Sequence, residues 1–440
     1  MIIIKISDKI LFLLVMKNGV SIVRKQVELL TKRKPLWIAL ILIALLAYCI
    51  TRPSLVLWPR NVMLTWTGEP ATMQTLTWQT GRYVAGSQVE YAEISENSPF
   101  MAQSGTAEQI VTDGGVITIH SIDLTGLQPA TRYQYRVGNG LFWSSYHTFT
   151  TAPAQAESFK FLLFGDSQGN SYHLWQDTLR TAYERNRDAV FMLNIGDLVD
   201  IGLNYSQWND WFQAGRDVID TIPVVPVMGN HETYTTEWKI AQPLLFTAFF
   251  RLPGNGPDAL IGKVYSFDYG DVHFTILDSQ VQEEEAWIPQ MLNLQREWLE
   301  KDLAGSNKRW KLVFLHRPVY HNRSSEADLD LRDAFTPLFD RYHVDAVFAG
   351  HDHIYARSYP LTSGVWSDEK GNGPVYFTTG RSGTRTFARP QAKDWDAAFY
   401  NPLDQPNYMT VEVSEQGLLV KAYKYDGEMI DLWSKSLVSH

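Results

Sequence analysis

The sequence predicts a protein in two parts: an all-β sandwich, followed by an α/β body built from layered sheets. Two features of the 440 residues lead to this prediction. Residues 59–152 contain short strand-like segments separated by turns, and from Ser158 onward apolar strands alternate with amphipathic helices. The composition, 45% hydrophobic and 20% charged, indicates a folded chain of two or three domains.

The first part, residues 57–153, shows the alternation and the enrichment in Thr, Val, Tyr and Trp that are typical of half-buried strands. Turn residues separate the strands at about the spacing expected of a β-sandwich. The segment TTAPAQAES then predicts a linker. The six predicted strands are NVMLTWT, MQTLTWQT, SQVEYAE, VITIHSIDL, RYQYRVG and SSYHTFTT.

The second part, residues 158–435, alternates strands and helices, which indicates an α/β body. Its tail, YMTVEVSEQGLLVKAYKYDGEMIDLWS, predicts a β meander. The predicted strands are FKFLLFGD, DAVFMLNIGD, PVVPVMGNHE, KRWKLVFLH and VDAVFAG. The predicted helices are SYHLWQDTLRTAYERN, YSQWNDWFQAGRDVI, EAWIPQMLNLQREWLEKDL and DLDLRDAFTPLFDRY.

The charge of −9 is unevenly distributed along the chain. Residues 1–34 are basic, with eight Lys or Arg against two Asp or Glu, so the remainder carries −15. An acidic body argues against a nucleic-acid groove, because phosphate binding needs positive charge. The apolar segment 35–52, which begins PLWIALILIALLAYCI, is either a cleaved signal peptide or a membrane anchor. Both predict an exported or cell-envelope protein, and the absence of cysteine after Cys49 is compatible with export.

The apolar strands of the second part end in side chains that commonly bind metals. Because open α/β sheets build their sites at the carboxyl ends of strands, these side chains are expected to converge. In GHDH, the turn that brings two histidines together is expected to depend on Gly350. The side chains at the strand ends are Asp166, Asp197, Asn230, His231, His316, His351 and His353.

The chemistry of this set suits two divalent transition ions such as Mn, Zn or Fe. Carboxylate and amide oxygens are hard ligands, and imidazole nitrogens are borderline ligands. One carboxylate between two ions can bridge them about 3.5–4 Å apart, a geometry that clamps a phosphate group and activates water.

The motifs GDSQ, GDLVD, GNHE, VFLH and GHDH resemble the five blocks of the calcineurin-like metallophosphoesterases. The strand-rich first part, with TGLQPATRYQYRVG, resembles the fibronectin type III-like N-terminal domain of purple acid phosphatases. The resemblance implies a four-layer α/β/β/α sandwich with its site at one edge, preceded by the fibronectin-like sandwich and the N-terminal hydrophobic segment.

The resemblance also implies a role for each matching residue. Asp197 matches the bridging carboxylate, and His231 matches the outer histidine that contacts phosphate and protonates the leaving group. The other matching residues are ligands of the first metal, Asp166 and His353, and of the second metal, Asn230, His316 and His351.

Two positions depart from the family pattern. Asp200 stands where purple acid phosphatases have a tyrosine that binds ferric iron, and Gln168 stands where many members have a histidine. Gln168 could offer a weak amide oxygen to the first metal. Asp200 is interpreted as a helix-start residue or a neighbour of the ligands rather than as a ligand.

Three arginines are further candidates for binding phosphate, because a guanidinium matches phosphate oxygens well. Arg317 directly follows a predicted ligand, and Arg381 and Arg385 lie in the loop TTGRSGTR after a strand. A surface position without function is the alternative for each of them.

The function implied is hydrolysis of phosphate esters by a metal-bound hydroxide, with a lean towards monoesters. A phosphodiesterase acting on nucleotides or lipid head groups remains an alternative. An alternative of another class is a cell-surface binding module with a degenerate catalytic body, which the full ligand set disfavours. Membrane association through residues 35–52 stays open, and the sequence does not predict an oligomeric state.

Overall fold

The computed structural model describes residues 53–156, 158–323, 329–366 and 371–436, together with Ile38. The basic region 1–34 and almost all of the apolar segment 35–52 therefore lie outside the described residues. Within the described part of the chain, no helix is both long and apolar enough to cross a membrane.

The first part folds as two four-stranded antiparallel sheets packed face to face. Their inward side chains form one core, which includes Trp78, Tyr133 and Tyr135. One sheet has the order β1-β2-β6-β5 and the other β4-β3-β7-β8. The strands are β1 (Arg60–Thr65), β2 (Met73–Gly81), β3 (Gln88–Glu93), β4 (Met101–Ser104), β5 (Thr106–Thr112), β6 (Gly115–Thr125), β7 (Arg132–Gly138) and β8 (His147–Thr150).

The second part contains a six-stranded and a seven-stranded sheet. The six-stranded sheet has the order β11-β10-β9-β21-β22-β23, and β9, β10 and β11 run parallel. Its strands are β9 (Phe159–Phe164), β10 (Ala189–Ile195), β11 (Val224–Val227), β21 (Asn407–Ser414), β22 (Gly417–Lys424) and β23 (Met429–Ser436).

The seven-stranded sheet has the order β12-β13-β14-β15-β19-β16-β20, and its central strands β13, β14, β15 and β19 run parallel. Its strands are β12 (Tyr265–Tyr269), β13 (Val272–Ile276), β14 (Trp310–Phe314), β15 (Ala346–Ala349), β16 (Tyr355–Ser358), β19 (Val375–Thr379) and β20 (Asp396–Tyr400). A small separate ribbon pairs β17 (Leu361–Thr362) with β18 (Val365–Trp366).

Helices cover the outer faces of these two sheets, which produces the expected α/β/β/α layers. Phenylalanines fill the space between the sheets, and Phe161, Phe274 and Phe314 are fully buried there. The helices are α1 (His173–Arg185), α2 (Tyr205–Gly215), α3 (Leu244–Phe249), α4 (Val281–Glu284), α5 (Met291–Gly305) and α6 (Leu329–Arg341). Single 3-10 turns occur at Pro53–Leu55, His231–Thr233 and Asp258–Leu260.

The structure confirms the fold class and corrects some boundaries. β4 and β5 were not predicted, because they are short or exposed and lack a buried apolar face. The long helix predicted from Glu285 begins at Met291 and follows the separate short helix α4. Asp200 does not start a helix, since α2 begins at Tyr205 and the side chain of Asn204 caps it by accepting from Gln207 N.

The parallel strands bring the candidate residues to one edge of both sheets. Asp166, Asp197, His316 and His351 each lie two residues past the end of a parallel strand, and Asn230 lies three residues past β11. The loop with Arg381 and Arg385 follows the parallel strand β19, so it reaches the same edge.

Gly350 has a different role from the one expected. The left-handed backbone in GHDH is adopted by His351 (φ 66°) and His353 (φ 54°) rather than by the glycine. A methyl group at Gly350 would lie 2.8 Å from Asp166 Oδ2 and 2.8 Å from the Ile195 carbonyl oxygen. The position therefore requires glycine because neighbouring atoms approach closely, and not because the chain turns there.

Candidate metal centre

Asp197 is shared by two overlapping groups of buried or partly buried side chains. One group is Asp197 with His316 and His351, and the other is Asp197 with Asp166 and His353. Within each group the potential ligand atoms all lie within 4.8 Å of one another. A carboxylate shared by two such groups is the arrangement that a bridged pair of cations requires.

Short distances join the members of each group. His316 Nε2 lies 3.2 Å from Asp197 Oδ2, and His353 Nε2 lies 3.2 Å from Asp166 Oδ1. Asn230 extends the first group, because its Oδ1 lies 3.0 Å from His351 Nδ1. The structure thus brings together all six predicted ligands.

Backbone carbonyls orient three of the imidazoles. His316 Nδ1 donates to the carbonyl of Ile195 at 2.7 Å, and His353 Nδ1 donates to that of Arg385 at 3.0 Å. His231 Nδ1 donates to the Asp200 carbonyl at 2.7 Å. Because a carbonyl only accepts, the proton sits on Nδ1 and each Nε2 faces the site.

The ligand atoms of the site are chemically suited to divalent cations. His316 is fully buried, and its Nε2 faces the Asp197 carboxylate at 3.2 Å without an aligned hydrogen bond to any described residue. Buried polar atoms are rarely left unpaired, and such an atom calls for a water or an ion. A lone pair on imidazole beside carboxylate and amide oxygens is a donor combination that Zn, Mn and Fe accept.

Neighbouring charges in the site shift one another's pKa values. Burial by itself would raise the pKa of Asp197, but the neighbouring His316 and His231 hold it well below its ordinary value. Burial by itself would lower the pKa of His316, but Asp197 raises it to about 9, so a cation that binds at Nε2 must displace a proton from that nitrogen. Burial and the nearby Arg317 hold the pKa of His351 well below its ordinary value, so this ring is neutral at pH 7.

Four of the six candidate ligands have a left-handed backbone. Such a conformation is uncommon outside glycine, and it concentrates at functional sites where the surrounding structure imposes it. Close packing of the strand ends therefore fixes these side chains. The four residues and their φ angles are Asp166 (43°), Asp197 (50°), His351 (66°) and His353 (54°).

Glu232 supports the site, although the sequence analysis did not single it out. Its fully buried carboxylate accepts from the backbone N–H groups of Gly229 (2.7 Å), Leu198 (2.8 Å) and Asp197 (2.9 Å). Burial and the charge of Asp197 raise the pKa of Glu232 to about 8, against the effect of these hydrogen bonds. The position of Glu232 directly after His231 in the GNHE motif is the sequence feature from which its role could have been predicted.

The two residues that depart from the family pattern both lie at the site. Gln168 is buried with its Nε2 3.0 Å from Asp197 Oδ2 and 3.3 Å from His353 Nε2. Its Oε1 has no partner among the described residues, and a half-turn of the amide would bring this oxygen to the ligands. The carboxylate of Asp200 accepts two hydrogen bonds from Arg385, at 2.7 and 2.8 Å.

The other two candidate arginines are already engaged. Arg317 donates from Nε to Gln280 Oε1 and from Nη2 to Glu283 Oε1, and its Nη1 lies 3.4 Å from His351 Nε2. Arg381 is buried and donates from Nε to the Pro402 carbonyl and from Nη1 to the Gly383 carbonyl.

Aromatic side chains that the sequence analysis did not single out form walls beside the site. The ring of His231 lies edge-on to Tyr234 and Trp238, and Trp238 is 53% exposed. Phe387 lies 4.5 Å from the His353 ring. Neither Trp238 nor Phe387 lies in a recognisable motif, so only the folded loops reveal their position.

Comparison with known families agrees with this geometry. The calcineurin-like phosphoesterase family matches residues 159–355, and the N-terminal domain of purple acid phosphatases matches residues 59–151. Together these matches cover about two thirds of the chain. The chain therefore contains a calcineurin-like phosphoesterase domain behind a purple acid phosphatase-like N-terminal domain, and it is an enzyme that hydrolyses phosphoric esters.

Individual relatives are similar to this phosphoesterase over about two thirds or more of the chain. Acid phosphatase type 7 of Mus musculus is 29% identical over 377 residues, which are 77% of this chain and 82% of that protein. Purple acid phosphatase 15 of Arabidopsis thaliana is 27% identical, over 66% of this chain and 58% of that protein.

A solved structure shows the same fold. The purple acid phosphatase isolated from yellow lupin (Lupinus luteus) seeds superposes with a TM-score of 0.72 at 20% sequence identity. The superposition covers 86% of this chain and 74% of the lupin chain.

Proposed function

We propose that this phosphoesterase is a phosphatase that hydrolyses phosphate monoesters with two divalent cations. The observation that carries the proposal is Asp197, whose carboxylate belongs to both groups of ligand atoms. The similarity to acid phosphatase type 7 and to purple acid phosphatases supports the choice of monoesters over diesters.

The cations would be held by the two groups around Asp197. Asp166 and His353 complete one position, with the amide of Gln168 beside them. The second position is completed by Asn230, His316 and His351. Bound there, the two cations would lower the pKa of a water and neutralise charge on the phosphoryl group.

The protein itself supplies a proton donor. His231 is held by its Nδ1–H bond to the Asp200 carbonyl, and its backbone N–H donates to Asp197 Oδ1 at 2.9 Å. These two bonds direct Nε2 into the site, 4.0 Å from Asp197 Oδ2. When the ring is protonated, Nε2–H can donate to a phosphoryl oxygen and then pass its proton to the departing alkoxide.

The first position lacks the tyrosine of the purple enzymes. Asp200, which stands in its place, already uses both carboxylate oxygens on Arg385. The remaining donors are two carboxylates, one imidazole and a neutral amide. This set carries less negative charge than one with a phenolate, so it favours a divalent over a trivalent ion.

The proposal is tested by hydrolysis of a chromogenic phosphate monoester and the matching diester, with Mn²⁺, Zn²⁺ or Fe²⁺ supplied after chelation. We expect turnover of the monoester to return with added cation and to exceed that of the diester. His316→Gln should lower this turnover to background. His173→Gln is the matched control, because His173 is exposed on helix α1 and belongs to neither ligand group. Turnover that persists in metal-free protein, or a preference for the diester, would overturn the proposal.

A further inference from the structure

Asp200 and Arg385 form an ion pair at the rim of the metal centre. Arg385 Nε lies 2.7 Å from Asp200 Oδ1, and Arg385 Nη2 lies 2.8 Å from Asp200 Oδ2. Two parallel hydrogen bonds of this kind fix the plane of the guanidinium as well as its position. The Asp200 carboxylate is buried, whereas the Arg385 side chain is 35% exposed. The pair therefore fixes one edge of a guanidinium whose side chain remains partly exposed.

The ion pair uses only one edge of the guanidinium. Asp200 occupies the side edge formed by Nε and Nη2, and Nη1 makes no hydrogen bond to any described residue. The end edge, formed by Nη1 and the second proton of Nη2, remains available. Two oxygens of a phosphoryl group match the spacing of that edge.

The backbone carbonyls of Asp200 and Arg385 also contact two histidines on both sides of the metal centre. The carbonyl of Asp200 accepts from His231 Nδ1, and the carbonyl of Arg385 accepts from His353 Nδ1. A continuous series of hydrogen bonds thus runs from His231 through the ion pair to His353. The guanidinium is consequently placed between the proposed proton donor and a predicted ligand of the first cation.

The position of the guanidinium is further defined by an aromatic side chain. It lies 5.8 Å from the ring of Trp238, within the range of a cation–π contact. Trp238 in turn packs edge-on against the ring of His231 at 5.9 Å. Arg385 therefore borders the space in front of His231, which is where a leaving group must sit to receive its proton.

We infer that Arg385 binds the phosphoryl oxygens of the substrate through its end edge, and that Asp200 is the positioning residue that aims it. This inference rests on the proposed phosphatase function. Asp200 thereby has a use in substrate binding in place of the metal-binding tyrosine of the purple enzymes. Arg317 and Arg381 do not fit the same role, since their donors are engaged by neighbouring side chains and carbonyls.

The chemistry predicts how conservative changes behave. Lysine at position 385 keeps the charge but offers a single ammonium group, so it cannot serve Asp200 and two phosphoryl oxygens together. Asparagine at position 200 keeps the shape but removes the charge that fixes the guanidinium. The Asp200 side chain acts only through Arg385, so its effect should vanish once Arg385 is gone.

The test compares Arg385→Gln, Arg385→Lys, Asp200→Asn and the double variant D200N/R385Q in the cation-loaded protein. The measurements are KM and kcat for a monoester, the Ki of orthophosphate, orthophosphate binding by calorimetry, and cation content. R385Q should raise KM, Ki and the calorimetric Kd about 10- to 100-fold, as expected for charge-assisted hydrogen bonds. The kcat should fall by less than about tenfold, and cation content should stay unchanged.

The remaining variants separate the role of Arg385 from that of Asp200. R385K and D200N should raise the Ki by smaller factors, and the double variant should match R385Q within about twofold. Arg341→Gln is the control, because Arg341 is an exposed arginine in a surface ion pair with Glu300. It should leave all constants unchanged.

Three outcomes would overturn the inference. The first is an R385Q variant that binds orthophosphate as the parent does, even if it melts at a lower temperature, since that pattern marks a purely structural ion pair. The second is loss of cations in R385Q. The third is a double variant whose defect is the product of the two single defects. A parent protein that binds no cation and hydrolyses no ester would instead refute the proposed function, and the inference with it.

Discussion

Replacing Gly350 with alanine perturbs both cation positions through a single methyl group. The new Cβ would lie 2.8 Å from Asp166 Oδ2, 2.8 Å from the carbonyl oxygen of Ile195 and 3.2 Å from His316 Nδ1. Ordinary contact begins near 3.4 Å, so two oxygens must retreat by about 0.6 Å. The Ile195 carbonyl is the one that orients the His316 ring, so a shift there turns a predicted ligand.

These distances set the size of the expected loss of stability and activity in Gly350→Ala. An extra methyl group in a packed interior costs about 1–3 kcal/mol, and alanine returns about 0.4–1 kcal/mol by restricting the unfolded chain. We therefore expect a net loss of roughly 1–2 kcal/mol in the free energy of unfolding. A misplacement of this size at reacting groups lowers kcat/KM by about 10- to 100-fold.

The assay measures monoester hydrolysis, cation content by elemental analysis and thermal unfolding on the same preparations. Gly254→Ala is the matched control, because Gly254 is exposed and a methyl group there would meet no atom within 4 Å. The control should keep full activity and stability. If Gly350→Ala bound two cations and retained its rate within twofold, the close approach at Gly350 would not be what places the ligands.

Three further predictions concern His231, His273 and the colour of the enzyme. His231→Ala should bind cations normally but lose roughly 10²- to 10⁴-fold in rate on substrates with poor leaving groups, and less on good ones; an equal loss on both would exclude the acid role. Burial by itself would lower the pKa of His273, but the hydrogen bonds that its ring donates to Asp268 and Asp302 raise it to about 9. Its charge therefore stabilises the fold below about pH 6.5, by about 3 kcal/mol, and this contribution fades as the pH rises through 9. Between pH 6 and 9.5, the melting temperature of the parent should fall more steeply with rising pH than that of His273→Gln. An equal fall in both proteins would refute this role of His273. Because Asp200 replaces the tyrosine, the enzyme with its native metals should be colourless, and a strong visible band between about 500 and 600 nm would show that another tyrosine binds iron.

The fold was predictable because its signals are local and strong. Strand β9 is a run of apolar residues buried almost throughout, and helices α1 and α6 have clear apolar faces, so their type follows from periodicity. Strands β4 and β5 were missed because they are mostly exposed and owe their pairing to neighbours rather than to an apolar pattern.

The candidate ligands were predictable for a related reason. Each follows a buried parallel strand, and parallel strands deliver their ends to one edge. The rest of the site depends on loops whose paths no periodicity encodes. Nothing in the sequence pairs Asp200 with Arg385, which are 185 residues apart, or brings Trp238 beside His231. Glu232 could have been recognised, since it directly follows His231, but its contacts with the backbone around Asp197 exist only in the folded protein.

Asp197 is the carboxylate on which the proposed pair of cations depends most directly, because it belongs to both ligand groups. The most direct measurement is the cation-to-protein ratio of the purified enzyme and of Asp197→Ala, by elemental analysis, with monoester turnover on the same samples. The parent is expected to hold two divalent cations per chain. Because a bridging ligand serves both positions, Asp197→Ala should lose cations from both and have no measurable turnover. An Asp197→Ala protein that kept two cations and near-normal turnover would contradict the shared carboxylate.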